Sequence, residues 1–446
     1  MKAGPLLGIV LLLFAPTACG ESTPREEVPL ARRIASSDLD ALRATRAFNP
    51  AWTPGSRREC IGRLAFETPN EIEWAVDPHD KVEHTEPPRF ADDVHGARAQ
   101  REVMAYGDVH IYVSRPATSE NMEKHRDYYR SVEGAAGVEA WERGVARAEA
   151  ELAAAIGRGA NELAIGNYRD RVEEARRQLH QAHNRRVHEF GLLEELAYES
   201  AGGTVTIRSL MGGRVVTVLG WLDSREGHPA REAGLAKIRD VVSRIRVRAP
   251  GEIPDEPGVC LPYLFIADDG EGDYQVRASF RYPDRPNVIY TIDTGYIPPR
   301  GEPQGAASVR NSASLELARY PGELLRLPEP DVRKRDLLGP SLVQAGPREL
   351  EQAGMVFTFG PAGGPHVRTY SIFSGSSGAP GVQALPFIFV RMRSWMREDY
   401  PQLAQEPPPV EESQARLAAL LKNLHVRKTT PELPSFEQWL DAPSQE

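Results

Sequence analysis

The sequence predicts an α+β protein of two similar lobes, each a mostly antiparallel sheet with packed helices, plus a helical hairpin inserted in the first lobe. Three observations support this reading. Two alternating apolar stretches each open on a cysteine, at Cys60 and Cys260. Two strand-then-helix stretches end alike, on RIRVR at Arg248 and on NLHVR at Arg427. Between them, in the first half only, a long charged run keeps the apolar spacing of a helical seam.

From the N-terminus, Leu6–Phe14 (LLGIVLLLF) is one apolar run of nine residues. A membrane-spanning helix needs roughly 20, so the run fits the apolar core of a secretory signal. It leads through small residues into Cys19 (APTACG), which resembles the bacterial lipobox, although Pro16 stands where Leu is usual. In that motif the cysteine receives a diacylglyceryl group and becomes the first mature residue. The expectation is a periplasmic protein, lipid-anchored through Cys19. Gly20 in place of the Asp of inner-membrane retention points to the outer membrane. The other reading is an ordinary cleaved signal with a chance cysteine. Glu21–Pro54, with Pro, Ser and Arg but no sustained periodicity, reads as a tether.

Cys60–Pro69 and Glu71–Asp77 read as paired strands opening the first lobe. Val138, Trp141, Val145, Ala148, Leu152 and Ala155 then hold the a/d spacing of a helical seam. Asn161 is a candidate N-cap for a second, more charged helical run over Glu162–Glu199. Unbroken, that arm would be on the order of 55 Å long at 1.5 Å per residue. It is read either as a solvated insertion or as a partner-gripping arm. Gly203–Leu210 and Arg214–Asp223 read as strands meeting at a Met211-Gly-Gly turn, before an amphipathic helix over Arg231–Arg248.

The stiff linker Ala249–Gly258 (APGEIPDEPG) leads into the second half. That half opens with Cys260–Ala267, an acidic turn at Asp268–Asp273 and a strand over Tyr274–Tyr282. It closes with a strand over Pro386–Met396 and a helix over Val410–Arg427. The chain thus divides into a signal at 1–18, a tether at 19–54, a first lobe at 55–250 with its insertion at 119–199, a second lobe at 251–430 and a tail at 431–446.

A net charge of −9 argues against a nucleic-acid partner and leaves room for a basic one. In an oxidising compartment Cys60 and Cys260 stand either as one bridge closing a loop of about 200 residues or as two separately buried thiols. Ser374-Gly-Ser-Ser-Gly runs into Ala379-Pro-Gly, which opposes the helix a nucleophile elbow requires. His180 and His183 lack the further ligands zinc needs. Asp268, Asp269, Glu271 and Asp273 lack the twelve-residue calcium-loop pattern, and read as a hairpin tip or a partner-binding surface. No phosphate-cradling loop or dinucleotide fingerprint occurs. The chain therefore reads as a binding protein with no catalytic residue, metal or cofactor. A periplasmic hydrolase with an unfamiliar site and a scaffolding envelope lipoprotein are the alternatives.

Two stretches carry a resemblance. Cys60-Ile-Gly-Arg with Leu-Ala-Phe-Glu-Thr-Pro69 is similar to the opening of the type VI secretion lipase-immunity family, with Leu64 in place of the usual Tyr. Arg246–Arg248 with Gly251–Cys260 is similar to that family's domain junction, although Val259 stands where an aromatic is common. The similarity runs over roughly Cys60–Arg427. It implies a cognate lipase or phospholipase effector as partner, bound in the periplasm so that its lid or substrate entrance is blocked. The acidic loop and the helical hairpin are the expected contact surfaces, chosen on charge and projection.

Overall fold

The structure is a computed structural model, and it describes residues 36–77, 88–92, 94, 103–130, 135–183, 186–200, 203–222, 228–270, 272–298, 332–360 and 366–430. The expected signal, Cys19, Glu271 and the tail at 431–446 lie outside them.

The first half runs α1 (Ser36–Ala47), β1 (Arg57–Ile61), β2 (Leu64–Thr68), β3 (Glu73–Trp74), β4 (Val103–Tyr106), β5 (Val109–Pro116), α2 (Ser119–Tyr128), α3 (Ala135–Gly157) and α4 (Glu162–His183). It continues through β6 (Arg186–Val187), β7 (Leu196–Glu199), β8 (Thr204–Met211), β9 (Arg214–Trp221), α5 (His228–Ser243) and β10 (Ile245–Val247). The second half runs β11 (Gly258–Leu261), β12 (Leu264–Ala267), β13 (Tyr274–Tyr282), β14 (Arg285–Gly295), β15 (Val332–Ala345) and β16 (Arg348–Phe359). It ends with β17 (Val367–Ser376), β18 (Phe387–Ser394), α6 (Val410–Lys422) and β19 (His425–Val426).

The fold is α+β, and its strands pair antiparallel throughout the main ladders. The two halves do not keep separate sheets. One 13-stranded sheet runs β15-β16-β17-β18-β14-β13-β4-β5-β9-β8-β7-β6, with β3 paired to β13. Reading outward from the β13–β4 seam, each half lays down its strands in the same order. The path β4-β5-β9-β8-β7-β6 answers β13-β14-β18-β17-β16-β15. The repeat read from the sequence is thus a repeat of topology around one shared sheet.

The ends are exchanged as well. The opening hairpin β1–β2 takes its third strand, β19, from the end of the second half, and the hairpin β11–β12 takes β10 from the end of the first. The Arg248 amide donates to the Tyr263 carbonyl at 2.8 Å, and the Arg427 amide donates to the Arg63 carbonyl at the same distance. Gly62 and Cys260 exchange two backbone hydrogen bonds, at 2.7 and 2.8 Å, beside a disulfide joining Cys60 to Cys260 with their Cα atoms 5.7 Å apart. Both cysteines are fully buried. The bonded pair, rather than two separate thiols, is what the structure contains.

Strand alternation sorts the large sheet into two faces. On the inner face Val109, Ile111, Val218, Val276, Phe280, Ile292, Val390 and Ile372 join one core. Leu235, Ile238 and Val242 of α5, Leu417, Leu420 and Leu421 of α6, and Ile61, Phe66, Leu264 and Ile266 of the small sheets complete it. The main core thus lies between the large sheet and the elements that close each half, while a smaller cluster of Phe90, Val94, Ile289, Trp395, Tyr400 and Leu403 covers part of the opposite face.

Two expected segments end differently. The tether does not extend to Pro54, because Leu42 of α1 is buried against Ala379, Val382 and Leu385. The helical insertion does not extend to Glu199 either. Helix α4 stops at His183, and β6 and β7 join the sheet instead. Leu193, which keeps the seven-residue step, lies beyond Gly191 at φ 79° and is 73% exposed.

Candidate partner-binding surface

The outer face of the sheet is where the strand pattern sets polar and aromatic side chains. Residues paired across an antiparallel ladder point the same way, so the register places them directly. At the seam between the halves Ala105 opposes Gln275, and Val103 opposes Arg277. Arg277 opposes Asp293, Thr291 opposes Arg391, and Arg391 opposes Phe373. On the first-half side His110 opposes Leu219, and Tyr112 opposes Thr217. The strand register therefore carries this face across both halves, although Thr291, Asp293, Arg391 and Phe373 on its second-half part are buried.

Its chemistry changes along its length. Arg277 Nε donates to Asp293 Oδ2 at 2.7 Å, and Gln275 adds a longer bond to the other oxygen. Burial pushes the Asp293 carboxyl up, against the pull of the Arg277 guanidinium. To one side the His110 ring meets Trp221 edge-on at 4.7 Å, and Trp221 is 47% exposed. Burial holds His110 below the usual imidazole range, so it favours the neutral ring. To the other side Phe373 packs against Phe389 at 5.8 Å, with the Arg391 guanidinium 5.2 Å from its centroid.

The two ends of the face differ. At the β15 end, Leu337, Leu342, Ala353, Met355 and Phe373 line a cavity of about 550 Å³. Leu337 and Leu342 stand well exposed beside it. At the β6 end, Met122 of α2 packs with Val215, Leu196 and Leu210. Just past α2, Tyr129 meets Tyr198 at 4.7 Å. Helix α2 therefore sits on the outer face, and the α3–α4 hairpin follows it in the chain. The seam is apolar as the spacing implied, with Ala155, Ile165, Val172 and Ala182 buried. Asn161 caps α4 by accepting from the Ala164 amide at 2.9 Å.

The acidic loop is not one surface. The Asp268 side chain is fully buried in an ion pair with Arg63, whose Nη1 and Nη2 reach its two oxygens at 3.1 and 2.6 Å. The Tyr106 hydroxyl donates to the same carboxylate at 3.0 Å, and Arg63 Nε donates to Gln383 at 3.1 Å. Burial first, and Asp268 next, push Tyr106 up to about 12. Asp268 is therefore a strut between the hairpins and is withdrawn from any partner, contrary to its expected role. Asp269 and Asp273 remain exposed, while Glu271 is outside the described residues. Burial and nearby Asp108 raise the Asp273 carboxyl.

Ser374 is buried inside β17 and accepts from Gln352 Nε2 at 2.9 Å, so it occupies no elbow. His183 lies 3.8 Å from Glu142 across the helical hairpin. Among the described residues no group of His, Cys, Asp or Glu is arranged to hold a metal ion. The sequence did carry a signal for the outer face. In Tyr274–Tyr282 (YQVRASFRY) every second residue is polar and lies on this face, with Gln275 and Arg277 half-buried and Ser279 and Arg281 buried.

Residues 252–328 match the family model described as the Tle cognate immunity protein 4 C-terminal domain. The resemblance to lipase-immunity proteins is borne out over that stretch, which starts in the junction and carries β11 to β14. Among solved structures, the chain is similar to the immunity protein TplEi of the T6SS from Pseudomonas aeruginosa complexed with "L" peptide. That similarity has 13% identity, covers 84% of this chain and 99% of the other, and has a TM-score of 0.44. The apo form of TplEi gives 13% identity, 84% and 98% coverage and a TM-score of 0.45. The Tle4–Tli4 complex gives 16% identity, 84% and 98% coverage and a TM-score of 0.41. No curated protein matches the chain.

Proposed function

We propose that this protein is a type VI secretion immunity protein that binds a lipid-degrading effector and keeps its lid or substrate entrance from membrane lipid. The observation that carries the reading is the match of residues 252–328 to the Tle cognate immunity protein 4 C-terminal domain. The outer face suits the task, because it is one surface built by both halves. Its accessible part offers Trp221, which is 47% exposed, and the half-buried Arg277, residue types enriched where proteins bind one another tightly.

Location belongs to the same proposal. A lipid on Cys19 would hold the protein in the periplasm, against the outer membrane and beside the lipids its effector attacks. Binding, rather than catalysis, is the proposed action.

The test is to search the neighbouring genes for a lipase-like product, co-purify it with this protein lacking its lipid anchor, and assay rescue of cells exposed to that lipase. A stable complex and restored growth are the expected results. Absence of both overturns the reading, and fatty-acid release by this protein alone replaces it with an enzyme.

A further inference from the structure

The α3–α4 hairpin has a tip that its own fold does not use. Among the described elements the two helices make their extensive contacts with each other. At 23 and 22 residues they form a stalk about 33 Å long. The turn at its end is ordered by its own hydrogen bonds. The Gly159 amide donates to the Ile156 carbonyl at 2.9 Å, the Ala160 amide to the Ala155 carbonyl at 3.1 Å, and Asn161 caps the next helix. This turn presents Ile156 at 53% and Leu163 at 77% exposure, one on each side. Their neighbours Ala155 and Ile165 are buried in the seam. Two large apolar side chains are thus held outward while the seam beside them is already filled.

Charge decides between occupants. Arg158 and Glu162 flank the tip, and the sides of the stalk carry matched pairs, Arg176 with Glu149 at 2.6 Å and Arg171 with Glu151 at 3.9 Å. A helix held on an anionic lipid surface needs a basic bias that this stalk does not have. A narrow apolar tip on a charge-balanced shaft instead fits a concave apolar cleft with a polar rim. An enzyme that takes acyl chains must have such a cleft.

We propose that Ile156 and Leu163, at the tip of the α3–α4 hairpin, enter the acyl-binding cleft of the effector and occupy it in place of substrate. The proposal rests on the function proposed above and names the element that does the blocking. The stalk follows α2 in the chain, and α2 itself lies on the outer face.

The test uses the full mature chain with Ile156→Glu and Leu163→Glu, singly and combined. Both side chains are exposed, so the thermal melt is expected to be unchanged. Affinity for the effector is expected to fall roughly tenfold for each substitution and further in combination, the scale of losing one buried aliphatic contact. A short-chain alkylphosphonate that occupies the effector's cleft is expected to slow association of the parent chain but not of the double variant. A double variant that binds and protects like the parent overturns the proposal. So does one that loses binding to anionic phospholipid vesicles while keeping its affinity for the effector. A parent chain that binds no lipase overturns the functional reading itself, a result distinct from loss in the variants alone.

Discussion

The two opening hairpins share their strand pairing and differ in their turns, where the left-handed residue is Gly62 in the first and Tyr263, at φ 63°, in the second. Gly62-Arg63 turns the first, and Pro262-Tyr263 turns the second. Arg63 is fully buried against Asp268 and lies 5.3 Å from the Tyr274 ring centroid. In the second hairpin the roles are reversed, since Tyr263 is the turn residue and Arg214 comes to it at 3.6 Å. The closing arginines diverge too. Arg248 pairs with the Glu59 carboxylate at 3.0 Å. Arg427 instead reaches backbone carbonyls of the junction, at Pro254, Glu256 and Gly258. Burial lowers Arg427 to about 10, with Arg63 and Arg248 adding to the effect. The repeat preserves hydrogen-bonded geometry while the charges that lock it are specific to each half.

The largest expected effect comes from uncoupling the hairpins. Replacing Cys60 and Cys260 together by Ala should cost up to about 5 kcal/mol, because the bridge closes a loop spanning 200 residues. Urea midpoints of the oxidised parent and the double variant measure it, and an unchanged midpoint would show that backbone exchange alone joins the halves.

Next comes the contrast between the turns. Asp268→Ala leaves Arg63 buried without its carboxylate, and should cost about 3–5 kcal/mol. Tyr263→Leu removes a cation–π contact, at about 1–2 kcal/mol. Equal losses in chemical denaturation would break the distinction drawn between buried charge and stacking.

Gly62 sharpens the comparison at backbone level. Its φ is +57°, and a Cβ there would meet Thr294 Cγ2 at 2.7 Å and Tyr274 Cε2 at 2.8 Å. Gly62→Ala should therefore cost about 1–3 kcal/mol. Pro262→Ala, at the matching position, should cost less than about 1 kcal/mol. Melting curves of the two variants give the order directly.

The smallest effect concerns pH. His425 of β19 opposes Ala65, where Arg246 of β10 opposes Phe265. Burial lowers the His425 pKa below 6.5, while its Nδ1 contact with the Asn423 carbonyl works the other way. The unfolded chain thus takes up this proton at higher pH than the folded one. The stability His425 contributes is complete above about pH 6.5 and is lost as pH falls toward the lowered value. His425→Gln should flatten the loss of stability between pH 7.5 and 5.5 measured by urea titration. Arg246→Gln should leave that slope as it is.

Much of this frame was legible in local pattern. Met211-Gly-Gly-Arg214 turns as its two glycines require, at φ 56° and 71°. The seam from Val138 to Ala155 and the Asn161 cap follow from spacing and side-chain chemistry. The exchange of ends was not legible, because β10 and β19 carry the same alternation whichever hairpin they join. Asp268 misled for a related reason. An acidic run reads as exposed, and the Arg63 that buries its first member lies on the other hairpin. Helix α4 was drawn too long because Leu193 resumes the seven-residue step of Val172 and Leu179 beyond the interruption at Arg186, although the helix stops at His183. The outer face was visible in each strand's alternation, but only the pairing of β13 with β4 makes it one surface.

The exchanged ends also set an order in time. The strand β10 can join β12 as soon as β12 has been made. The hairpin β1–β2 must wait, since its third strand pairs Ala65 with His425, among the last described residues to be synthesised. Folding half by half, the common route for long chains, therefore leaves the first hairpin incomplete until translation has nearly finished. Its closure is a long-range contact that pays its loop entropy late. A chain cut anywhere before Leu424 would lose its lock at the opposite end of the sequence from the cut.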